Sequence, residues 1–392
     1  MRKVLLYSLL LIVGLVASQF LRGRGAPVVA PLTAVALAFI MIHVGYEFEI
    51  DKSRPRQYAW DYFVAATAAS LPWLLCALWF VFAMAPVGLW SHPDLWREAM
   101  LEGLFASPTS AGVLFSMLAA AGLGATWLFK KARVLAIFDD LNTILLLIPL
   151  KAMMIGLKWQ LLVVALITIG LLWLAWRYLD SLRWRITWPW VLSYAVAIVL
   201  LGELIYLGSK KIDPAEPIHV EVLLPAFALG CMLRPPPGQD PHRDDAVEGH
   251  ELGPESAREQ HVSTVVSACF MILVGLSMPP IVASGGRYPF PGWGVIAFHV
   301  VMVTLLSNIG KMFPAFCYRR ETPFKQRLAL AIGMFPRGEV GAGVLVIALS
   351  YGLAGPSLTV AVLSLALNLL LTGAFIVVVK RLIAPGHSDV SC

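Results

Sequence analysis

Two adjacent acids, Asp139 and Asp140, stand inside a long apolar stretch of this chain. Leu, Ile and Met make up most of the surrounding run from Val134 to Leu157. An Asp at the centre of a membrane helix costs about 2.5–3.5 kcal/mol on insertion scales, so two idle acids would cost about twice as much. The pair therefore predicts a functional site, because buried carboxylates can exchange a proton for a metal cation.

Two basic residues, Lys311 and Arg337, also lie within apolar stretches. Asp140 follows Arg133 by seven residues and Lys311 precedes Tyr318 by seven, which places each about 10 Å inside its helix. A carboxylate pair and an ammonium group on different helices thus share one depth. We expect them to pair, because either charge alone would be costly to bury.

Two apolar stretches contain residues that interrupt a helix. Residues 107–110 read Ser-Pro-Thr-Ser, and residues 333–339 read Gly-Met-Phe-Pro-Arg-Gly-Glu. Proline removes a backbone donor and clashes with the preceding turn. Irregular backbone at membrane depth is stable only where it is buried in protein or lines water. Interrupted helices in corresponding halves of a chain indicate a transporter site, and a simple proline kink in each helix is the alternative.

The composition defines the elements that must position these groups. The chain has 392 residues, 59% hydrophobic and 14% charged, with a mean hydropathy of +0.77. An ordinary globular chain is about a quarter charged, so we predict an all-α polytopic membrane protein with one membrane domain, residues 1–392. The five cysteines are scattered singly and form neither a disulfide framework nor a metal site. No nucleotide-binding or nucleophile motif is present, which predicts a protein that is not an enzyme.

Apolar runs of the length that crosses a bilayer predict about 12 membrane-spanning helices. The predicted spans are residues 4–21, 26–46, 60–84, 101–121, 134–157, 159–177, 187–208, 217–233, 263–284, 293–318, 326–350 and 356–379. With the N-terminus inside, most basic residues outside the spans fall in cytoplasmic segments, as the positive-inside rule requires. We therefore predict a multi-pass protein of the cell membrane with both termini in the cytoplasm and without a nucleic-acid partner.

The longest polar stretch, residues 234–262, begins near a Pro-Pro-Pro-Gly sequence and is rich in acids. Such a segment cannot bury enough apolar surface to fold alone. We predict a flexible cytoplasmic loop between the two halves of the chain, with a regulatory role as the alternative.

The predicted span boundaries place Asp61 and Glu102 at the ends of their helices, where they would reach water.

These motifs resemble the sodium/proton exchangers of the cation:proton antiporter superfamily. The resemblance rests on residues 107–109, the Asp139–Asp140 pair, Lys311 and the Pro-Arg-Gly-Glu of residues 336–339, and it covers nearly the whole chain. It is closest to bacterial members with a double Asp in the fifth helix. It implies two inverted repeats whose fourth and eleventh helices are broken and cross near the membrane centre. It also implies a core domain that moves against a dimerisation domain in an elevator-like cycle.

The resemblance further implies a role for each residue of the site. Asp140 would be the main site for the cation and the proton. Asp139 would also contact the transported Na⁺, and it would pair with Lys311. Thr109 and Ser107 would lie beside the ion at the crossing of the broken helices.

Arg337 and Glu339 would be structural charges of the eleventh helix. The implied activity is secondary active exchange of Na⁺ or Li⁺ for protons, by competition for the buried acids and without a cofactor. A double Asp is associated in this superfamily with electrogenic exchange. The implied partners are monovalent cations, protons and the lipid bilayer of a bacterial inner membrane, with a homodimer as the assembly. Two alternatives stay open, a potassium/proton antiporter of the efflux type and a sodium-coupled organic anion symporter on a similar fold.

Overall fold

The computed structural model describes most of the chain and shows an all-α protein. The described residues are 2–21, 26–46, 55–110, 114, 118, 122–124, 126–156, 159–179, 181–212, 218, 220, 222–234, 257–277 and 287–383. Within them, the β-structure is a single isolated bridge between Leu182 and Leu233. The predicted all-α class is confirmed.

Thirteen α-helices have described bounds. They are α1 (Arg2–Leu21), α2 (Ala26–Tyr46), α3 (Pro55–Trp79), α4 (Pro93–Gly103), α5 (Trp127–Ile155), α6 (Trp159–Arg177), α7 (Trp188–Ile212), α8 (Leu223–Met232), α9 (Ala257–Ser277), α10 (Trp293–Gly310), α11 (Phe324–Gly333), α12 (Glu339–Ser350) and α13 (Pro356–Ile383). By length and composition alone, four described segments can each cross a membrane: Arg56–Met84, Trp188–Ile212, Trp293–Phe316 and Pro356–Ile383.

Helix packing divides the described elements into two groups. In the first group, α3 packs on α4, α5 and α10, while α13 packs on α10, α11 and α12. In the second group, α2 packs on α7, α8 and α9, with α1 against α9 and α6 against α8. The two groups meet where α1 packs on α13 and α9 packs on α12. The first group contains the helices that carry all the predicted site residues, so the site belongs to one packed unit.

Small residues allow the helices of the first group to approach closely, as is common between membrane helices. A Cβ atom on Gly310 would lie 2.5 Å from the backbone nitrogen of Pro72, so α10 packs directly on the backbone of α3. A Cβ atom on Gly103 would lie 2.9 Å from the backbone nitrogen of Ala77. These two contacts fix the C-terminal ends of α10 and α4, which precede Lys311 and the first break.

The expectation that Asp61 and Glu102 reach water is wrong. Each residue is only 2% exposed, because α3 and α4 begin several residues before the predicted spans. Asp61 accepts hydrogen bonds from Nζ of Lys131 at 3.0 Å and from the hydroxyl of Tyr318 at 2.7 Å. This buried cluster joins the second turns of α3 and α5 to the segment that follows α10.

The predicted loop at 234–262 is only partly described. Residues 235–256 lie outside the described part of the chain, so their predicted flexibility stays a prediction. Residues 257–262 are not loop, because α9 begins at Ala257. At the other end, Leu182 donates its N–H to the carbonyl of Met232 and accepts from the N–H of Arg234, both at 2.8 Å.

Candidate ion-binding site

The breaks predicted in the fourth and eleventh spans are both present and lie together. After α4 and a short 3₁₀ turn, residues 107–110 are non-helical, as are residues 335–338 between α11 and α12. The N–H of Ser110 donates to the carbonyl of Pro336 at 2.9 Å. The predicted pair of broken, crossing helices is therefore confirmed.

Gly338 allows the two broken segments to meet. A Cβ atom at this position would lie 2.5 Å from Oγ of Ser110 and 2.7 Å from its Cβ. Real Cβ atoms do not pack so closely, so any larger residue would push the segments apart.

We expect Gly338→Ala to weaken the crossing. Overpacking of a dense interior costs about 1–3 kcal/mol, so the melting temperature and the rate of ion exchange should both fall. Gly333→Ala is the matched control, because the nearest atom to a Cβ there is Cδ1 of Leu114 at 3.8 Å. The double variant Gly338→Ala/Ser110→Gly should recover stability, since it removes the side chain in the way. Wild-type melting and exchange in Gly338→Ala would contradict this account.

Arg337 is fully buried and holds the second broken segment. Its Nη1 lies 2.7 Å from the carbonyl of Phe335 and 3.0 Å from that of Met334, and Nη2 donates to the carbonyl of Ser307 at 3.0 Å. The guanidinium thus satisfies carbonyls that the break leaves without helical partners, and ties them to α10. Glu339 begins α12, but its side chain lies outside the described residues, so its structural role stays a prediction.

Asp139 and Lys311 meet at the crossing, and both side chains are fully buried. Nζ of Lys311 donates to Oδ2 of Asp139 and to the carbonyl of Ser107, the latter at 2.6 Å. Oγ1 of Thr109 lies 2.7 Å from the same carboxylate oxygen and 3.0 Å from the carbonyl of Met334. Its single hydroxyl hydrogen can donate to only one of the two at a time.

Asp140 is 1% exposed and follows Asp139 on α5. Thr143, four residues after Asp139, donates its hydroxyl to the backbone carbonyl of Asp139 at 2.9 Å. Oγ of Ser107 lies 2.9 Å from Oγ1 of Thr143, so the first break is attached to α5 at two points. Sequence reasoning did not assign Thr143 a role, although its i+4 spacing from Asp139 places it on the same helix face.

Sequence reasoning also missed a set of polar residues on α10 and α13. Nδ2 of Asn368, on α13, donates to Oγ of Ser307 at 3.3 Å, and Ser307 donates to the carbonyl of Thr304 at 2.8 Å. Because the carbonyl of Ser307 accepts from Arg337, this chain connects α13 to the second break. The only sequence signal was a single polar residue in each apolar helix, and such residues have many possible partners.

The arrangement has the chemistry of an ion exchange site. Two buried carboxylates, one ammonium group, several hydroxyls and the carbonyls of two unwound segments converge within the packed unit. Carboxylate and carbonyl oxygens are the ligands of hard cations, and the same carboxylates take up protons. Discontinuous helices that meet near the centre of a membrane fold are typical of secondary transporters. The fold and the site define a polytopic membrane protein of that class.

The comparisons with known proteins agree. The model of the family described as "Sodium/hydrogen exchanger, transmembrane" matches residues 3–381. The chain therefore belongs to the sodium/hydrogen exchanger family, whose members are multi-pass membrane transporters rather than enzymes, and it is a cation:proton antiporter. No curated protein sequence matches the chain.

Among solved structures, the chain is similar to the sodium proton antiporter MjNhaP1 from Methanocaldococcus jannaschii, determined at pH 8. The TM-score is 0.61 at 15% sequence identity, and the alignment covers 96% of this chain and 92% of that chain. At this identity the likeness shows the fold alone. It confirms the predicted sodium/proton antiporter fold.

Proposed function

We propose that this antiporter exchanges Na⁺ or Li⁺ for protons through competition at Asp140 and Asp139. The observation that carries the proposal is the fully buried Asp139–Lys311 pair, which lies beside a second buried acid where two broken helices cross. A site with two acids and one base can change its proton count when a cation arrives. Competition for the same carboxylates then couples the two fluxes without any covalent step.

In the proton-loaded form of this cycle, Asp140 carries a proton and Asp139 is paired with Lys311. A cation that binds Asp140 displaces its proton and recruits Asp139 as a second ligand. Lys311 then loses its partner in a buried place and releases a proton, since burial disfavours an isolated ammonium group. Thr109 contacts Asp139, and the carbonyl of Ser107 accepts from Lys311. In this cycle these two groups bind either the cation or the side chains of Asp139 and Lys311 that the cation separates.

We also infer how the ion crosses the membrane. The site residues all belong to the unit formed by α3–α5 and α10–α13, so movement of that unit against the other helices would carry the ion in an elevator-like cycle. The proposed assembly is a homodimer held by the second group of helices. The proposed location is a bacterial inner membrane, with both termini in the cytoplasm.

Proteoliposomes that contain a pH-sensitive dye test the proposal. An imposed Na⁺ or Li⁺ gradient should drive proton flux in the opposite direction, while choline chloride at equal ionic strength should not. Flux driven only by K⁺ would favour the potassium/proton antiporter. Uptake of an organic anion with Na⁺, without proton counterflow, would favour the symporter, and either result would overturn the Na⁺/H⁺ assignment.

A further inference from the structure

Another buried acid, Glu102, lies outside the crossing and lines a small cavity between α4, the segment before α10 and the start of α13. The polar residues that line it are Glu98, Glu102, Arg287, Tyr288 and Ser357. The cavity volume is about 10 Å³, which is room for about one water-sized particle. The proposed mechanism of exchange uses none of these groups.

Two oxygens in this cavity make no hydrogen bond of normal geometry among the described residues, although the hydroxyl of Ser357 interacts with both side chains. One is Oε2 of Glu102, whose side chain is 2% exposed, and the other is the hydroxyl oxygen of Tyr288. Almost all buried polar atoms in proteins have a partner, and an orphan atom often marks a bound ion or water. Two orphan oxygens that line the same small cavity therefore point to a shared ligand.

The neighbouring charges are already paired with one another. Nε of Arg287 donates to the carboxylate of Glu98 at 2.8 Å, and its Nη2 lies 3.4 Å from Asp94. Asp94 also accepts from Arg97 at 3.0 Å. Among the described groups that line the cavity, Glu102 is thus the carboxylate without a cationic partner.

The charged groups around the cavity decide the charge of the ligand. Hydrogen bonding to Glu98 raises the pKa of Arg287 above its usual value, and the carboxylate charges of Glu98 and Asp94 act in the same direction. The guanidinium therefore keeps its positive charge beside the cavity and disfavours a divalent ion. One carboxylate with neutral hydroxyl oxygens suits a small hard cation of single charge.

We propose that the Glu102 cavity is a second monovalent cation site, which takes one dehydrated Na⁺ or Li⁺ in place of a proton on Glu102. Its ligands would be the carboxylate of Glu102 and the hydroxyls of Tyr288 and Ser357. The ion would join α4 to the first turn of α13. Glu102 lies five residues before Ser107, so occupancy would act on the position of the first break. In the proposed orientation this end of the molecule faces outward.

The test uses purified full-length protein whose crossing site is disabled by Asp139→Asn/Asp140→Asn. Equilibrium binding of ²²Na⁺ in a scintillation proximity assay should still be saturable, with about one ion per chain, and NaCl or LiCl should raise the melting temperature relative to choline chloride. Adding Glu102→Gln should abolish both effects. Adding Glu203→Gln is the matched control, because Glu203 is an exposed acid on α7, and it should leave both effects unchanged.

Absence of saturable ²²Na⁺ binding in the double-Asn protein would overturn the proposal and would leave a cavity for a proton or water. Binding that survives Glu102→Gln would overturn it equally. If Glu102→Gln does not fold, Tyr288→Phe replaces it and should weaken ²²Na⁺ binding by about tenfold, the effect of losing one ligand oxygen worth about 1.4 kcal/mol. Unchanged affinity in that variant would also refute the site. None of these measurements depends on transport, so they can succeed or fail independently of the proposed exchange at Asp140.

Discussion

Asp140→Asn is expected to reduce cation-driven proton flux to the level of protein-free liposomes. The amide has nearly the shape of the carboxylic acid, but it neither takes up a proton nor supplies a negative charge for a cation. The variant therefore lacks the group that binds the proton in one half of the cycle and the cation in the other. Because a neutral amide is cheaper to bury than a carboxylate, the variant should insert and fold normally, with a melting temperature at or above that of the wild type.

The measurement is the fluorescence of a pH-sensitive dye inside proteoliposomes under an imposed Na⁺ gradient, with melting temperature and detergent-solution homogeneity recorded in parallel. Glu203→Gln makes the same chemical change on the exposed face of α7 and should keep wild-type flux. Near-normal exchange by a folded Asp140→Asn protein would show that the cation binds elsewhere. Loss of flux with loss of folding would instead assign Asp140 a structural role.

The part of the site that the sequence predicts consists of residues that are unusual in a membrane helix. Acids at 139 and 140, and Pro next to Arg and Gly at 336–338, are costly in lipid, so their presence already indicated function. Their approximate depth followed from helix rise alone, and the structure brings Lys311 to Asp139. These signals are strong because few structural roles explain them.

Other contacts could not be predicted because they depend on tertiary packing. Ser307 and Asn368 are ordinary polar residues of apolar helices until the fold brings them together, 61 positions apart in the chain. The burial of Asp61 and Glu102 was missed for a different reason. Hydropathy locates the end of an apolar run, whereas helix length is set by capping and packing, as at Pro93, which starts α4 at a position suited to proline.

The tenth span shows the same limit. The apolar run from 293 to 318 predicts one helix, but regular α-helix ends at Gly310 and a 3₁₀ turn follows at Phe313–Phe316. Pro314 explains the change, because proline cannot continue the hydrogen bonding of an α-helix. Lys311 therefore lies at the C-terminus of α10, where the partial negative charge of a helix end favours a cation.

Lys311→Gln is expected to convert electrogenic exchange into electroneutral exchange. In the wild-type cycle the cation-loaded site holds two carboxylates, a neutral Lys311 and Na⁺, with a net charge of −1. The proton-loaded site holds a neutral Asp140 and the Asp139–Lys311 pair, with a net charge of zero. One charge therefore crosses the membrane in each cycle, and an imposed membrane potential should change the rate.

In the variant, residue 311 has no proton to release when the cation binds. Only Asp140 then exchanges a proton for Na⁺, so the two loaded forms carry the same net charge. The flux that remains should be lower than in the wild type, because Ser107 and Asp139 each lose a hydrogen bond from Nζ. It should also be independent of an imposed potential.

The experiment compares Na⁺-driven proton flux at zero potential and at a potassium diffusion potential set with valinomycin. Wild-type flux should depend on the potential, and Lys311→Gln flux should not. Lys131→Gln is the control, since it removes a buried lysine that pairs with Asp61 outside the crossing, and any flux it retains should stay potential-dependent. Wild-type exchange that ignores the potential would refute the proposed role of Lys311 while leaving Asp140 as the cation site.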